Sequence, residues 1–283
     1  MILSGSTAQG LAAALAADLD EPLGTVEYET FPDGERKVTV PDLDGDRAVV
    51  VGSTVSSDAH VELLLLQDAA REAGATEVVT VLGYMGYARQ DKVFQPGEPV
   101  SARAVAKAIS TGTDRVLVVE PHEPGVCEFF DVPAEPLEAA SRLAAPLPAD
   151  LDDPVFLSPD SGAIELAESV RDAYGSGEAD YFEKTRDYDT GEVAISPSET
   201  DVRGRDVVVV DDIIATGSTM SEAITILQDR DPARVFVATV HPLLAANART
   251  KLANAGVEAV YGTDTIERAV STVSVAPVVA EKL

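Results

Sequence analysis

Val207-Val208-Val209-Val210-Asp211-Asp212-Ile213-Ile214-Ala215-Thr216-Gly217-Ser218-Thr219 is the stretch on which the fold reading turns. Four consecutive valines read as a strand buried on both faces, as in a parallel sheet. Two carboxylates stand where that strand ends, and a short Thr/Gly/Ser/Thr loop then opens a helical pattern running to about Leu227. In open α/β sheets, ligands bind at this end of a strand. Backbone N–H groups of the loop and helix start favour an anion such as phosphate. The acidic pair can accept hydrogen bonds from sugar hydroxyls or hold a divalent cation. One segment thus offers a place for both ends of a sugar phosphate. Ser218 or Thr219 also suits a plain helix cap, and an Asp pair after a strand suits any α/β protein; the full string is more restrictive.

Outward from this segment the chain alternates strand and helix patterns. Arg47 to Gly52, Glu77 to Leu82, Arg115 to Glu120, Pro154 to Ser158, Asp206 to Val210 and Arg234 to Val240 read as strands. Helical periodicity runs through Thr7 to Leu19, Asp58 to Ala73, Ser101 to Ser110, Gly162 to Tyr174, Ser218 to Leu227 and Leu244 to Ala255. The alternation predicts parallel sheets with helices on both faces. A Pro/Ala-rich stretch from Pro133 to Pro154 reads as the inter-domain connection, and Ser271 to Leu283 reads as a strand and a short helix.

The 283 residues suffice for two domains or one large α/β domain. No apolar run approaches the roughly 20 residues that span a bilayer, so no membrane partner is expected. Met1-Ile2-Leu3 leads into a Ser/Gly turn without the basic start and apolar block of a signal peptide. The single cysteine, Cys127, cannot form an intrachain disulfide. Both points favour a cytoplasmic protein. The net charge of −28, spread along the whole chain, argues against nucleic-acid binding, because a phosphate backbone would be repelled. Only six of the 21 basic residues are lysine. Dispersed acid with scarce lysine resembles proteins of salt-accumulating halophiles, where molar salt screens self-repulsion to within about 3 Å. In such a chain, clustered cations carry information.

Four further segments bear on the chemistry. Phe31-Pro32-Asp33-Gly34-Glu35 is a turn leading into the alternating strand Arg36 to Val40, and by itself reads as a hairpin turn. The stretch Gly83-Tyr84-Met85-Gly86-Tyr87-Ala88-Arg89-Gln90-Asp91-Lys92 brings two cations and aromatics into a loop after a strand, suited to nucleotide contact or simply to solvation. Glu120-Pro121-His122-Glu123 places a histidine near acids at a strand end, where it suits either a structural role or metal ligation. Ser158-Pro159-Asp160-Ser161-Gly162 is another strand-to-helix loop, followed by the strand-like Tyr181 to Arg186. On a strand, Lys184 and Arg186 share a face.

The Asp211 to Thr219 string resembles the phosphoribosyl diphosphate (PRPP) loop of the phosphoribosyltransferase-like fold. Taken in order, all five segments resemble the ribose-phosphate pyrophosphokinase (PRPP synthetase) family over nearly the whole chain. The resemblance implies two phosphoribosyltransferase-like α/β domains, 1–137 and 138–265, each a mostly parallel sheet flanked by helices. A tail of about 266–283 would be free to pack back on the first. It implies an ATP site with Phe31, Asp33, Gly34 and Glu35, reaching from a neighbouring subunit, together with Arg89 and Gln90. Mg²⁺ would be held at His122, with Asp160 serving a second metal or the ribose side. Lys184 and Arg186 would fall on a mobile catalytic segment, and Arg186, Asp211, Asp212, Ala215, Thr216, Gly217, Ser218 and Thr219 would line a ribose 5-phosphate site. An ATP site shared between subunits implies a homo-oligomer, a dimer or larger.

The chain also departs from the family pattern. The family often has Asp-Leu-His at Glu120-Pro121-His122 and Lys-Arg-Arg at Lys184-Thr185-Arg186. Bacterial members usually have Asp-Thr at Ala215-Thr216 and Val-Gly-Gly at Ser161-Gly162-Ala163. Together these suggest an archaeal-type branch. A phosphoribosyltransferase would share the Asp211 loop without the Phe31 and Arg89 segments, and a non-catalytic synthetase-like subunit would share the fold alone. No Gly-x-x-x-x-Gly-Lys-Ser/Thr loop occurs, which excludes a P-loop kinase.

Overall fold

The computed structural model describes residues 1–186, 193–196 and 200–283, with residues 183–186 and 193–196 described as backbone alone. The chain divides into two compact units: Met1–Ala139 with Asp264–Glu267 and Ser274–Leu283, and Ala140–Thr263 with Arg268–Val273. The first unit contains β1 (Ile2–Ser4), α1 (Gln9–Leu19), β2 (Glu27–Thr30), β3 (Arg36–Thr39), β4 (Arg47–Ser53) and α2 (Ser57–Glu72). It continues through β5 (Glu77–Tyr84), α3 (Ser101–Ile109), β6 (Arg115–Val119) and β7 (Ala134–Leu137). Its sheet has the order β1-β4-β5-β6-β7, every neighbouring pair parallel. Val49, Val50, Val51, Val79, Val81, Leu117 and Val118 are almost fully buried. This is why these runs show little alternation: a parallel strand covered on both faces has no polar side.

The second unit contains β8 (Val155–Ser158), α4 (Ile164–Tyr174), β9 (Glu178–Tyr181), β10 (Glu183–Arg186), β11 (Val193–Ser196) and β12 (Asp206–Ile213). Then follow α5 (Ser218–Gln228), β13 (Arg234–His241), α6 (Ala248–Asn254), β14 (Ala259–Thr263) and β15 (Ser271–Val273). Its sheet runs β15-β14-β13-β12-β8-β9, again all parallel. The four valines of β12 are fully buried between β8 and β13. A last helix, α7 (Ala276–Ala280), belongs to the first unit. Two parallel α/β sheets flanked by helices are thus present.

Local differences from the sequence reading have physical causes. The boundary between the units, at Ala139 and Ala140, falls within the Pro133 to Pro154 stretch, which also holds β7 and a 3-10 helix at Ala140–Ala144. The strand expected from Tyr181 to Arg186 is broken at Phe182, which is buried in the core beside Leu157 and Val209, so that β9 and β10 are separate strands. At the N-terminal end of β12, the buried Asp206 carboxylate takes two hydrogen bonds from Arg234, at 2.9 and 2.6 Å, and one from the Asp152 N–H. The Arg234 side-chain hydrogen bond holds its pKa below the usual range. No described helix is long and apolar enough to cross a membrane.

Candidate active site

In both units several of the sequence-predicted residues follow the C-terminal ends of strands of the main sheets, where ligands bind in open α/β sheets. In the first unit, the loop after β5 carries Arg89 and Gln90, and the loop after the adjacent β6 carries Glu120 and His122. The turn after β5 is fixed by Gly86, whose N–H donates to Thr54 Oγ1 at 2.8 Å. A Cβ at Gly86 would collide with the Thr54 carbonyl oxygen. Arg89 is exposed, whereas Gln90 is tied to the start of α3: Ser101 Oγ donates to its side-chain oxygen, and Ala102 N–H to its carbonyl at 3.2 Å. Gln90 therefore has a structural duty as well as a place in the loop.

Phe31, Asp33, Gly34 and Glu35 form the tip of the antiparallel β2–β3 hairpin. Gly34 N–H donates to Phe31 O at 2.9 Å and takes φ +93°, a value glycine adopts without strain. The whole tip is exposed, with Phe31 at 42%. Its root is held by Glu62 of α2, a carboxylate only 2% exposed that accepts Ser6 N–H at 2.8 Å and Ser6 Oγ at 2.9 Å. Arg36 approaches the same carboxylate at 3.5 Å. Glu62 looks like an ordinary polar position of an amphipathic helix in sequence, because partners at Ser6 and Arg36 give no local signal. Glu62→Ala leaves Ser6 N–H without its acceptor. It is expected to lower stability by about 2 kcal/mol, read from the urea midpoint at fixed KCl.

Glu120 takes φ +40°, and its carboxylate accepts the Ala139 N–H at 2.6 Å. Glu120 is thus directed at the Ala139 backbone, and His122 is exposed at the loop. His122 lies in the first unit and Asp160 in the second.

In the second unit, Asp160 follows β8 and Asp211 and Asp212 end the adjacent β12. The strand runs three residues past Val210, because Asp211 and Ile213 stay in register with Thr239 and His241 of β13. Asp160 Oδ1 accepts the Gly162 N–H at 3.1 Å. Burial, and then the adjacent Asp212 and Asp160 carboxylates, hold the Asp211 carboxyl well above the usual carboxylate range. This crowding favours a bound cation or sugar hydroxyls. Among the described residues no three His, Cys, Asp or Glu converge as a ready-made metal cage. Mg²⁺ rarely needs one: it keeps waters and uses one or two carboxylates with substrate phosphates, so the crowded acids fit it.

After β12, Gly217 caps α5 at φ +69° and gives no side-chain cap, so the first-turn N–H groups have no acceptor from the cap residue. A Cβ at Gly217 would stand 3.3 Å from Ala248, so α6 packs close behind the loop. The segment after β13 braces it further. Leu244 N–H donates to Ile214 O and Ala245 N–H to Ala215 O, both at 2.8 Å. Leu244 and Ala246 adopt φ +46° and +53° there, which delays α6 to Ala248 instead of the expected Leu244. Thr216, Ser218 and Thr219 are exposed on this rigid loop. The side chains of Lys184 and Arg186 lie outside the described residues; on β10 their backbones stand opposite Ile195 and Val193 of β11.

Comparison with known proteins bears directly on this arrangement. The model of the N-terminal domain of ribose phosphate pyrophosphokinase matches residues 1–112, and that of the phosphoribosyl transferase domain matches residues 137–276. A ribose-phosphate pyrophosphokinase of Halobacterium salinarum is 69% identical, with 100% of both chains covered. The chain belongs to the ribose-phosphate pyrophosphokinase family. A ribose-phosphate pyrophosphokinase of Methanopyrus kandleri is 45% identical over 99% of this chain and 97% of its own length. The crystal structure of phosphoribosylpyrophosphate synthetase from Mycobacterium smegmatis matches with TM-score 0.85 and 30% identity, covering 100% of this chain and 96% of that one. Membership accounts for two similar α/β sheets in one pyrophosphokinase chain, and for the hairpin and Arg89 segments that a lone transferase domain would lack.

Proposed function

We propose that the chain is a ribose-phosphate diphosphokinase, transferring the β,γ-diphosphoryl group of MgATP to the C1 hydroxyl of ribose 5-phosphate to give PRPP and AMP. The observation that carries this reading is the acidic strand end of β12 running into the Gly217-capped loop, within a chain of the pyrophosphokinase family. Phosphate sits on the loop N–H groups and the Thr216, Ser218 and Thr219 hydroxyls. Asp211 and Asp212 accept hydrogen bonds from the ribose hydroxyls. Phe31, Asp33, Gly34 and Glu35 reach the nucleotide of a neighbouring subunit, which makes the enzyme a homo-oligomer, a dimer or larger. The exposure of the whole hairpin tip supports that role. Arg89 and Gln90 hold ATP phosphates and base.

The sugar's C1 oxygen attacks the β-phosphorus, the bond from that phosphorus to the α-phosphate bridging oxygen breaks so that AMP leaves with that oxygen, and the hydroxyl proton passes to solvent. No covalent enzyme intermediate forms. The residues act by alignment and by neutralising developing charge, with Lys184 and Arg186 supplying cations at the transferring group. Mg²⁺ held at His122, with Asp160 serving a second metal or the ribose side, would supply additional positive charge to the phosphate oxygens. The chain works in the cytoplasm of a salt-accumulating cell. Its net charge of −28 and its likeness to the Halobacterium salinarum enzyme support this.

AMP release by the purified chain with ATP, Mg²⁺ and ribose 5-phosphate tests the proposal across a range of KCl. AMP should form only when the sugar phosphate is present, and faster at molar salt. Consumption of PRPP with a base and no need for ATP would instead mark a phosphoribosyltransferase. Absence of both reactions would mark a non-catalytic subunit.

A further inference from the structure

The scarcity of lysine makes the position of each one informative. Lys37, Lys107 and Lys282 pair with Glu29, Asp131 and Glu135, and Lys92 sits over the Phe94 ring at 5.5 Å. Lys251 of α6 differs: among the described residues it has no carboxylate partner within 4 Å. Its ammonium donates instead to Ser218 Oγ at 2.7 Å and to Thr216 O at 3.3 Å. In a chain with 49 acidic residues, a half-buried lysine turned to a loop rather than to an acid is a specific arrangement.

The direction of these bonds has a chemical consequence. An ammonium only donates, so Ser218 Oγ must accept from Lys251. The hydroxyl's own hydrogen is then free to point away, toward Thr216 Oγ1 at 3.3 Å or toward an anion on the loop. The third Lys251 N–H has no partner among the described residues. The loop backbone is already held by Ile214, Ala215 and the packing of Gly217 on Ala248, so Lys251 is not needed to shape it. What the lysine adds is a positive charge and a fixed donor direction for Ser218.

We infer that Lys251 is a positioning residue for the sugar-phosphate site, acting through Ser218 to bind the 5-phosphate. The inference rests on the reading of the Thr216 to Thr219 loop as that phosphate's seat. Lys251→Met keeps the aliphatic stem and removes both donors and charge. Lys251→Arg keeps the charge and donors, and Lys251→Gln keeps a donor alone.

The test is steady-state kinetics of these variants, Ser218→Ala and the double variant Lys251→Met/Ser218→Ala, at fixed KCl. Lys251→Met should raise KM for ribose 5-phosphate about tenfold, with kcat and KM for ATP within twofold of the parent. Lys251→Arg should recover most of that loss and Lys251→Gln little. The double variant should resemble the worse single variant rather than show the product of the two effects, because the residues act as one unit. Equal urea midpoints for parent and Lys251→Met would confirm that folding is intact. If folding is impaired, the same comparison is made by calorimetric titration of ribose 5-phosphate into the folded Lys251→Gln variant. An unchanged KM in Lys251→Met, or fully additive effects, would overturn the inference while Ser218→Ala still raised KM. If Ser218→Ala also left KM for ribose 5-phosphate unchanged, the loop itself would not be the phosphate seat, and the reading beneath the inference would fail with it.

Discussion

Lys184→Ala is expected to lower kcat about 10³-fold, with KM for ribose 5-phosphate within a factor of two and an unchanged urea midpoint. The size follows from the chemistry. Diphosphoryl transfer adds little covalent work for the protein, so most of the rate comes from charges placed where the transition state needs them. Removing one such cation raises the barrier by about 4 kcal/mol, which is a thousandfold in rate. The stability expectation follows from topology: among the described residues β10 pairs only with β11, in a two-stranded sheet separate from the six-stranded one. Ribose 5-phosphate binding should persist because the Asp211 to Thr219 loop is built from β12, α5 and the brace after β13. Pre-steady-state AMP release distinguishes a slowed transfer from slowed product release. A variant with near-parental kcat would remove Lys184 from the mechanism and move the burden to Arg186 and Arg89.

The buried β-branched runs of β4, β5, β6, β12 and β13 were legible because burial on both faces leaves a plain apolar signature. Some short elements were legible too, β3, β8, β15 and α7 among them, but β7 and β1 were not. The four residues of β7 read Ala-Glu-Pro-Leu, with a proline that only an edge strand tolerates, and it is indeed the edge neighbour of β6. β1 has three residues and owes its existence to pairing with Val49 to Val51. Charged Asp211 and Asp212 hid the true end of β12, which is decided by the β13 register rather than by local propensity. The chemistry-bearing types at strand ends were readable, since Asp160, Asp211, Arg89 and His122 all follow apolar runs. What sequence could not show was who faces whom. Lys251 lies in an unremarkable helical stretch, and only the positive φ values at Leu244 and Ala246 bring α6 against the loop. The crowding of Asp211 by Asp160 likewise joins residues 51 positions apart through the adjacency of β8 and β12.

That crowding gives the second large effect, in which stability and activity move in opposite directions. Asp211→Asn should raise KM for ribose 5-phosphate about 100-fold, since a charge-assisted hydrogen bond to a sugar hydroxyl is worth about 1.5–3 kcal/mol, while making the protein more stable at neutral pH. In the folded chain, burial and neighbouring acids keep a proton on Asp211 above the pH at which the unfolded chain has released it. Over that interval the folded state binds more protons than the unfolded one, so stability falls as pH climbs from the ordinary carboxylate range through the raised value. Below the ordinary range both states are protonated and no cost remains. The asparagine carries no titrating group, so its advantage should be absent near pH 4 and grow toward neutrality. Each kcal/mol would appear as about 2–4 °C in Tm for a unit of this size. Thermal unfolding of both proteins from pH 4 to pH 8, at fixed KCl and without divalent cation, reads the difference directly. Sugar-phosphate affinity should show the converse. The parent gains on the variant as pH rises and Asp211 ionises, and comparing the two proteins cancels the ligand's own phosphate titration. A variant no more stable than the parent at neutral pH would mean that the Asp211 charge is already relieved in the folded chain. A variant that kept its affinity for ribose 5-phosphate would take Asp211 out of sugar recognition.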